Sequence, residues 1–276
     1  MFELGSGGAA ALVPLAVVAV SGAVAGFLAG LLGVGGGIVI VPALYWVLGE
    51  AGIADAIRMQ IAVATSLATI IPTSILSARA HRAKGSLDEA ALKRWMTPGI
   101  VGAALGTAVA AIVDGRLLAG VFGAVALVVA VQMVAFPGGL TLRPNLPGRA
   151  GQTGMMAVIG GLSAMMGIGG GTLAVPTLTL FAYPIRQAVG TAAGLGLFIA
   201  IPATLGFVAG GWGVEGLPPM SLGYVSLPVA AAVLATMLPC VGQGAKVAHR
   251  ISQPALRRVF GCVLALVGLR MLSALF

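Results

Sequence analysis

The most constraining feature of the sequence is a run of 46 residues, from Leu4 to Gly49, without a charged side chain. Six more uncharged runs follow, over residues 59–78, 95–113, 117–142, 150–185, 187–214 and 216–245. A helix that crosses the hydrocarbon core of a bilayer needs about 20 apolar residues. Charged residues make up only 8% of the chain, whereas a soluble domain has about 25%. The sequence therefore predicts a polytopic, all-α integral membrane protein.

Two glycine-rich stretches interrupt these apolar runs in the same way. GVGGGIVIVP occupies residues 33–42, and GIGGGTLAVP occupies residues 167–176. Each glycine disfavours a helix by about 1 kcal/mol relative to alanine, so four glycines in five residues predict a helix break. The apolar segments after the breaks, residues 36–48 and 171–183, are too short to span a bilayer comfortably. We therefore expect a short or re-entrant helix after each break.

The glycine stretches belong to a longer internal repeat. Ala64-Thr65-Ser66 matches Gly190-Thr191-Ala192, and Val121-Phe122-Gly123 matches Val259-Phe260-Gly261, which places Gln132 opposite Arg270. We predict a first transmembrane repeat over residues 1–136, a cytoplasmic linker over 137–151, and a second repeat over 152–276. Each repeat has five apolar segments, which are residues 12–33, 36–48, 59–78, 95–113 and 117–136 in the first, and 153–168, 171–183, 187–209, 222–245 and 256–275 in the second.

The loop charges indicate how the two repeats are oriented. Residues 79–94 carry five lysines and arginines, whereas the equivalent loop, residues 210–219, carries none. The next pair is reversed, because residues 114–116 form a neutral loop and residues 246–258 carry four basic residues. Basic loops stay on the cytoplasmic side. The repeats are therefore predicted to be inverted, with both chain termini extracytoplasmic. Five crossings per repeat, or three crossings and a re-entrant pair, both satisfy this pattern.

Inverted repeats that are broken at corresponding positions are typical of a transporter's central site. The first N–H groups of a helix have no partner within the helix and carry about half a positive charge. Glycine lets a ligand reach this backbone, so two such helix starts suit a small anion. We predict that the substrate is bound by the glycines and nearby hydroxyls, namely Gly35, Gly36, Gly37, Thr65, Ser66, Gly169, Gly170, Gly171, Thr172 and Thr191. We expect no catalytic residue, metal or cofactor.

The doubled motif, with AVATS after the first copy and AVGTA after the second, resembles the TauE/SafE family of sulfite and organosulfonate exporters. The resemblance covers nearly the whole chain and implies a small membrane transporter for sulfur-containing anions or other C1–C2 compounds. Ala192 stands where the first repeat has Ser66, so we expect the two half-sites to be unequal. The implied function is export of sulfite or a C2 organosulfonate, such as sulfoacetate or a taurine relative, across the bacterial inner membrane.

Several alternatives remain open at this stage. The glycines could serve close helix packing, the hydroxyls could bond to their own helix, and Arg270 could extend towards the membrane surface. The protein could be an anion channel, a proton-coupled permease or a non-transporting subunit instead of a carrier, and a membrane enzyme is the least favoured class. The net charge of +8 lies at the ends of apolar runs, so we expect no nucleic-acid partner. The expected partners are the anion and the bilayer, with a homodimer left open.

Overall fold

Helices form 80% of the computed structural model, which describes residues 8–32, 36–136, 140–248 and 253–273. The described part of the first half contains α1 (Gly8–Leu32), α2 (Gly37–Glu50), α3 (Asp55–Ala83), α4 (Glu89–Ile112) and α5 (Gly115–Ala135). The second half contains α6 (Arg149–Met165), α7 (Gly171–Thr179), α8 (Ile185–Gly210), α9 (Leu227–Ala248) and α10 (Gln253–Leu272). The predicted all-α membrane class is confirmed.

Helix length divides the bundle into two groups. Among the described residues, five helices are long and apolar enough to cross a membrane, and these are α3, α4, α5, α8 and α9 up to Gly244. In contrast, α7 has nine residues and a length of about 13.5 Å. The hydrocarbon core is about 30 Å thick, so α7 cannot cross it.

Two apolar segments differ from their predicted form. The segment 171–183 is helical only to Thr179 and continues as a turn in which Ala182 has a φ of 55°. The segment 222–245 begins with a β-hairpin of β1 (Ser221–Leu222) and β2 (Val225–Ser226) before α9 starts. The hairpin folds back onto the end of α8, where the Tyr224 amide donates to the Phe207 carbonyl at 3.3 Å. Hydropathy alone does not distinguish such apolar turns from helix.

The helices of the two halves are interleaved. α1 packs along α9, and α6 packs along α4. Glycines permit both contacts, because a Cβ on Gly26 would collide with the Met237 carbonyl of α9, and one on Gly102 would collide with the Ala157 carbonyl of α6. α3 packs against α8, and α5 packs against α10. Every one of these pairings joins a helix of the first half to one of the second.

The buried core follows α3 and its partners, and the outer helices carry the exposed apolar surface. Eight of the nine residues from Met59 to Leu67 of α3 have no exposed area, and Gln60 is 3% exposed. On α4 and α5, large apolar side chains are exposed, such as Leu105 at 64% and Val128 at 70%. This distribution is expected for helices whose outer faces contact lipid acyl chains.

Candidate substrate site at the two helix breaks

The second break starts where α6 ends in a left-handed glycine. Gly167 has a φ of 65°, its amide donates to the Ala164 carbonyl at 3.3 Å, and the Ile168 amide donates to the Ser163 carbonyl at 3.0 Å. This pair of bonds is the Schellman motif, which ends helices at a residue that glycine suits best. The chain then turns, and α7 begins at Gly171.

The first break ends in a second left-handed glycine. Gly36 has a φ of 70° and directly precedes α2, and its carbonyl accepts bonds from Val39 at 3.1 Å and Ile40 at 3.3 Å. Residues 33–35, including the predicted site residue Gly35, lie outside the described residues. A short helix thus begins immediately after each glycine stretch, as the sequence predicts.

The two breaks meet in the centre of the protein. The space for a Cβ on Gly37 is occupied by the carbonyl oxygen of Gly167, and Ser66 Oγ would lie 3.0 Å from that Cβ. The Ser66 hydroxyl donates a hydrogen bond of 2.7 Å to the same Gly167 carbonyl. Residues from α2, α3 and the end of α6 are therefore joined at one point.

The remaining predicted residues of the second break lie against α8. A Cβ on Gly170 would lie 2.8 Å from Ile199 Cδ1, and one on Gly196 would lie 3.9 Å from the Cα of Gly169. Gly171 is buried, and Thr172 is only 1% exposed. The glycines thus serve close packing as well as the helix break, which supports one of the alternatives derived from the sequence.

Thr65 and Thr191 bind backbone amides of other helices. The Thr65 hydroxyl accepts a bond of 3.1 Å from the amide of Ser226, the residue before α9. The Thr191 hydroxyl accepts a bond of 3.0 Å from the amide of Asp88, the residue before α4. The two contacts are reciprocal, because each links one central helix to a helix start in the other half. These two contacts cross between helices, whereas the alternative derived from the sequence is a bond from each hydroxyl to its own helix backbone.

The sequence does not indicate a polar cluster that lies beside Thr191. The Tyr183 hydroxyl donates a bond of 2.6 Å to Asp88 Oδ2, while Asp88 Oδ1 accepts from the Ala91 amide at 2.9 Å and caps α4. Nearby, the Trp95 indole and the Arg94 guanidinium both donate to Gln152 Oε1. The cluster joins the α3–α4 turn to the α7–α8 turn, and no residue spacing indicates that these turns meet.

The ionisation of this cluster follows from its hydrogen bonds. Partial burial opposes ionisation of Asp88, but the bonds from Tyr183 and from backbone amides outweigh it and lower the pKa of Asp88 below its ordinary value of 3.8. Burial and the hydrogen bond to the carboxylate raise the pKa of Tyr183 above its ordinary value of 10.0. The pair is therefore an anionic carboxylate and a neutral phenol at physiological pH.

Ser163 is a further residue near the break that the sequence does not indicate. It lies in the last turn of α6, four residues before Gly167, and it is completely buried. Its Oγ has no hydrogen-bond partner among the described residues. An unpaired buried hydroxyl costs free energy, so a serine here beside the break is a candidate donor to a bound molecule. An isolated serine in an apolar helix gives no pattern that would reveal this.

Comparison with known proteins identifies the group to which the chain belongs. The sequence model of a family described as Sulfite exporter TauE/SafE matches residues 17–271. The chain belongs to the TauE/SafE family. The resemblance stated from the doubled glycine motif is confirmed, and the TauE/SafE chain is an integral membrane transporter and not an enzyme.

Relatives of this TauE/SafE protein span almost its full length. A probable membrane transporter protein of Haemophilus influenzae is 34% identical over 259 residues, which cover 91% of this chain and 95% of the relative. A probable membrane transporter protein of Methanocaldococcus jannaschii is 28% identical over 266 residues, which cover 95% of this chain and 96% of the relative. No solved structure matches the TauE/SafE chain significantly.

Proposed function

We propose that this transporter is a secondary carrier that exports a small anion, with sulfite or a C2 organosulfonate as the favoured substrate. The observation that carries the proposal is the contact between the two breaks, where Gly37 abuts the Gly167 carbonyl and Ser66 bonds to it. The start of α2 is thus in direct contact with the break that precedes α7. Two helix breaks in contact can form one anion site between them.

The electrostatics of this centre favour an anion. Each helix start contributes about half a positive charge. The apolar parts of the surrounding helices, residues 8–49, 59–78, 150–185 and 187–214, contain no charged side chain, so no carboxylate offsets this potential. Without a fixed cation, binding stays weak enough for release, as transport requires.

Hydroxyls supply the directional part of the proposed site. Ser66 and Thr172 are buried at the two breaks, and Ser163 adds a hydroxyl without a partner among the described residues. Sulfite and sulfonate oxygens accept several hydrogen bonds, which matches a set of amides and hydroxyls. The second break has Ala192 in place of Ser66, so the proposed half-sites are unequal.

We further propose that the two repeats are inverted in the inner membrane, with both termini and residues 210–219 extracytoplasmic. The loop charges support this orientation, and the reciprocal pairing of α1 with α9 and α6 with α4 is consistent with two related halves. In this arrangement α2 and α7 return to the side from which α1 and α6 entered. The linker between α5 and α6 then lies in the cytoplasm.

A carrier is favoured over a channel by the packing at the centre. Gly37, Ser66 and Gly167 contact one another without space for an added methyl group at Gly37. Such a closed centre must rearrange for each substrate molecule, which limits the flux and allows exchange. A channel would instead need a continuous aqueous path past this point.

Proteoliposomes that contain the full chain test the proposal. Sulfite, thiosulfate, sulfoacetate and taurine are loaded in turn, and efflux is measured against external substrate. We expect saturable efflux of at least one sulfur anion and acceleration by the same anion on the other side. Flux that rises linearly without counterflow would indicate a channel, and the absence of flux for the entire panel would exclude the proposed substrate class.

A further inference from the structure

A charged cleft of about 550 Å³ lies away from the two breaks. Its walls come from α2, from the starts of α3 and α5, and from the end of α10. The charged residues that line it are Glu50, Asp55, Arg58, Arg116 and Arg270. Three arginines face two carboxylates there, so the cleft has a net positive charge.

Two of the three arginines are already paired. Asp55 accepts from Arg58 at 2.6 Å and from Arg116 at 3.3 Å. Arg58 also donates to the Ile53 carbonyl at 2.9 Å and lies 5.2 Å from the centre of the Tyr45 ring. These contacts fix Arg58 as part of the wall.

Arg270 is different, because it has no carboxylate within ion-pair distance among the described residues. It is exposed in the last turn of α10, and its guanidinium donates only a long bond of 3.4 Å to Ser273 Oγ. A guanidinium presents five donors in a planar fork. Most of this donor capacity is therefore available to a molecule in the cleft.

The cleft extends from the protein surface towards the first break. Its lining follows α2 from Glu50 back to Pro42. Pro42 is five residues from Gly37, a distance of about 7.5 Å along the helix axis. The inner end of the cleft is therefore close to the proposed central site but does not include it.

The residue at the corresponding position in the other half is uncharged and bonded within the protein. Gln132 of α5 donates a bond of 3.2 Å to the carbonyl of Pro176 in α7, and Pro176 matches Pro42 in the repeat. The first repeat thus has a glutamine amide bonded to a proline carbonyl at this position. The second repeat has Arg270, which lines an open cleft. The two ends of the transporter present different chemistry to an anion.

We propose that Arg270 binds the transported oxyanion in this cleft, as a vestibule site separate from the helix breaks. This inference rests on the proposed anion export. A guanidinium donates two parallel bonds to the oxygens of an oxyanion, which suits a sulfonate or sulfite group. A phospholipid phosphate has the same chemistry, so the experiment must separate the two sources.

The first experiment uses Ser273→Cys as a reporter in a chain with Cys240→Ala and Cys262→Ala. Its labelling rate is measured with an anionic methanethiosulfonate that carries a sulfonate and with a cationic analogue. We expect the anionic reagent to react faster, and Arg270→Gln to lower the ratio of anionic to cationic rates about 25-fold. Loss of one charge about 4 Å away in water changes each rate about fivefold, and the two rates change in opposite directions. Arg79→Gln, an exposed arginine outside the cleft, is the matched control.

Protection of the reporter then identifies the ligand. Sulfoacetate should slow labelling in the parent and in Arg79→Gln, but not in Arg270→Gln. Arg270→Lys should retain the rate ratio and lose most of the protection, because lysine keeps the charge without the fork. Protection by a short-chain phosphatidylglycerol but not by sulfoacetate would assign the cleft to lipid and overturn the proposal.

Equilibrium dialysis of radiolabelled sulfoacetate with the full chain needs no reporter cysteine. We expect Arg270→Gln to remove one of two bound equivalents, and unchanged binding would overturn the proposal even if the reporter variant failed to fold. A different result would contradict the proposed function. In that case the wild-type protein would move no sulfur anion in liposomes, although the cleft still prefers the anionic reagent.

Discussion

At the residue scale, different structural constraints require glycine at different positions of the two breaks. Gly36 and Gly167 adopt left-handed backbone, which costs other residues about 1–2 kcal/mol. Gly37 has no room for a side chain. Gly170 instead has an ordinary φ of −49°, and the nearest atom to its Cβ position is the end of the Ile199 side chain. A substitution of Gly170 can therefore distinguish a role of this residue in anion binding from a role in helix packing.

We predict that Gly170→Ala combined with Ile199→Val weakens anion binding at least tenfold while the protein stays monodisperse. The valine removes Cδ1 and makes room for the new methyl group, which then covers the start of α7. Binding is measured by equilibrium dialysis, with Ile199→Val alone as the control. Wild-type affinity in the double variant would show that Gly170 serves packing only.

Thr65 gives a second residue-scale prediction, which concerns stability. Thr65→Val removes the acceptor of the Ser226 amide at a completely buried position. An unsatisfied buried amide costs about 1–3 kcal/mol, so the apparent melting temperature in detergent should fall. Thr65→Ser keeps the hydroxyl and should retain most of the stability. Loss of stability in Thr65→Ser but not in Thr65→Val would show that the methyl group, and not the hydrogen bond, matters.

The Asp88–Tyr183 pair predicts a specific dependence of stability on pH. The folded pKa of Asp88 is lowered below 3.8, so its stabilising contribution is present above pH 4 and is lost as pH falls through the lower folded pKa. Tyr183→Phe removes one of the bonds that lower this pKa. The variant should be less stable at pH 7 and should lose less of its remaining stability on acidification. Parallel pH profiles for wild type and variant would contradict this coupling.

At the scale of helices and strands, the sequence predicts where a helix begins better than where it ends or where an apolar turn replaces it. The segment 36–48 corresponds to α2 from Gly37 to Glu50, because the glycines fix where the helix can begin. The end of α7 and the hairpin before α9 were missed, since apolar turns and apolar helices have the same hydropathy. Likewise, the repeat indicates the hydroxyl of Thr65 but not its partner, because the Ser226 amide is 161 residues away and no periodicity relates the two residues.

The orientation of the loops is tested with two cysteines in a chain that lacks Cys240 and Cys262. We predict that Ala83→Cys reacts only from the cytoplasmic side and Trp212→Cys only from the outside. Trp212 is chosen because it is 72% exposed, whereas the nearby Gly216 has a φ of 78° that would strain a substitution. Labelling of both positions from one side would show that the repeats are parallel.

At the scale of the whole molecule, each half of the chain supplies contacts that hold the other half in place. Thr65 and Thr191 each hold the start of a helix in the opposite half, and the centre is completed by Gly37 from one half and Gly167 from the other. The doubled glycine motif predicts this centre. It does not predict the Asp88–Tyr183 cluster or the Arg270 cleft, because these arise from turns and helix ends that meet only in the folded chain.

The last prediction concerns what drives transport through this molecule. The apolar parts of α2, α3, α7 and α8 contain no carboxylate or histidine that could carry a coupling proton. A bare anion then moves with its own gradient and the membrane potential. An inside-negative potential drives one negative charge outward with about 2.3 kcal/mol per 100 mV, which equals roughly a fiftyfold concentration ratio.

We therefore predict electrogenic export. In liposomes loaded with sulfoacetate, an inside-negative potassium diffusion potential should speed efflux, and collapse of a pH gradient at fixed potential should have little effect. Glu50→Gln is the informative variant, because Glu50 is an acidic residue of the Arg270 cleft without an ion pair among the described residues. Efflux that follows the pH gradient, ignores the potential and is lost in Glu50→Gln would instead make the carrier proton-coupled, with Glu50 as the group that carries the proton.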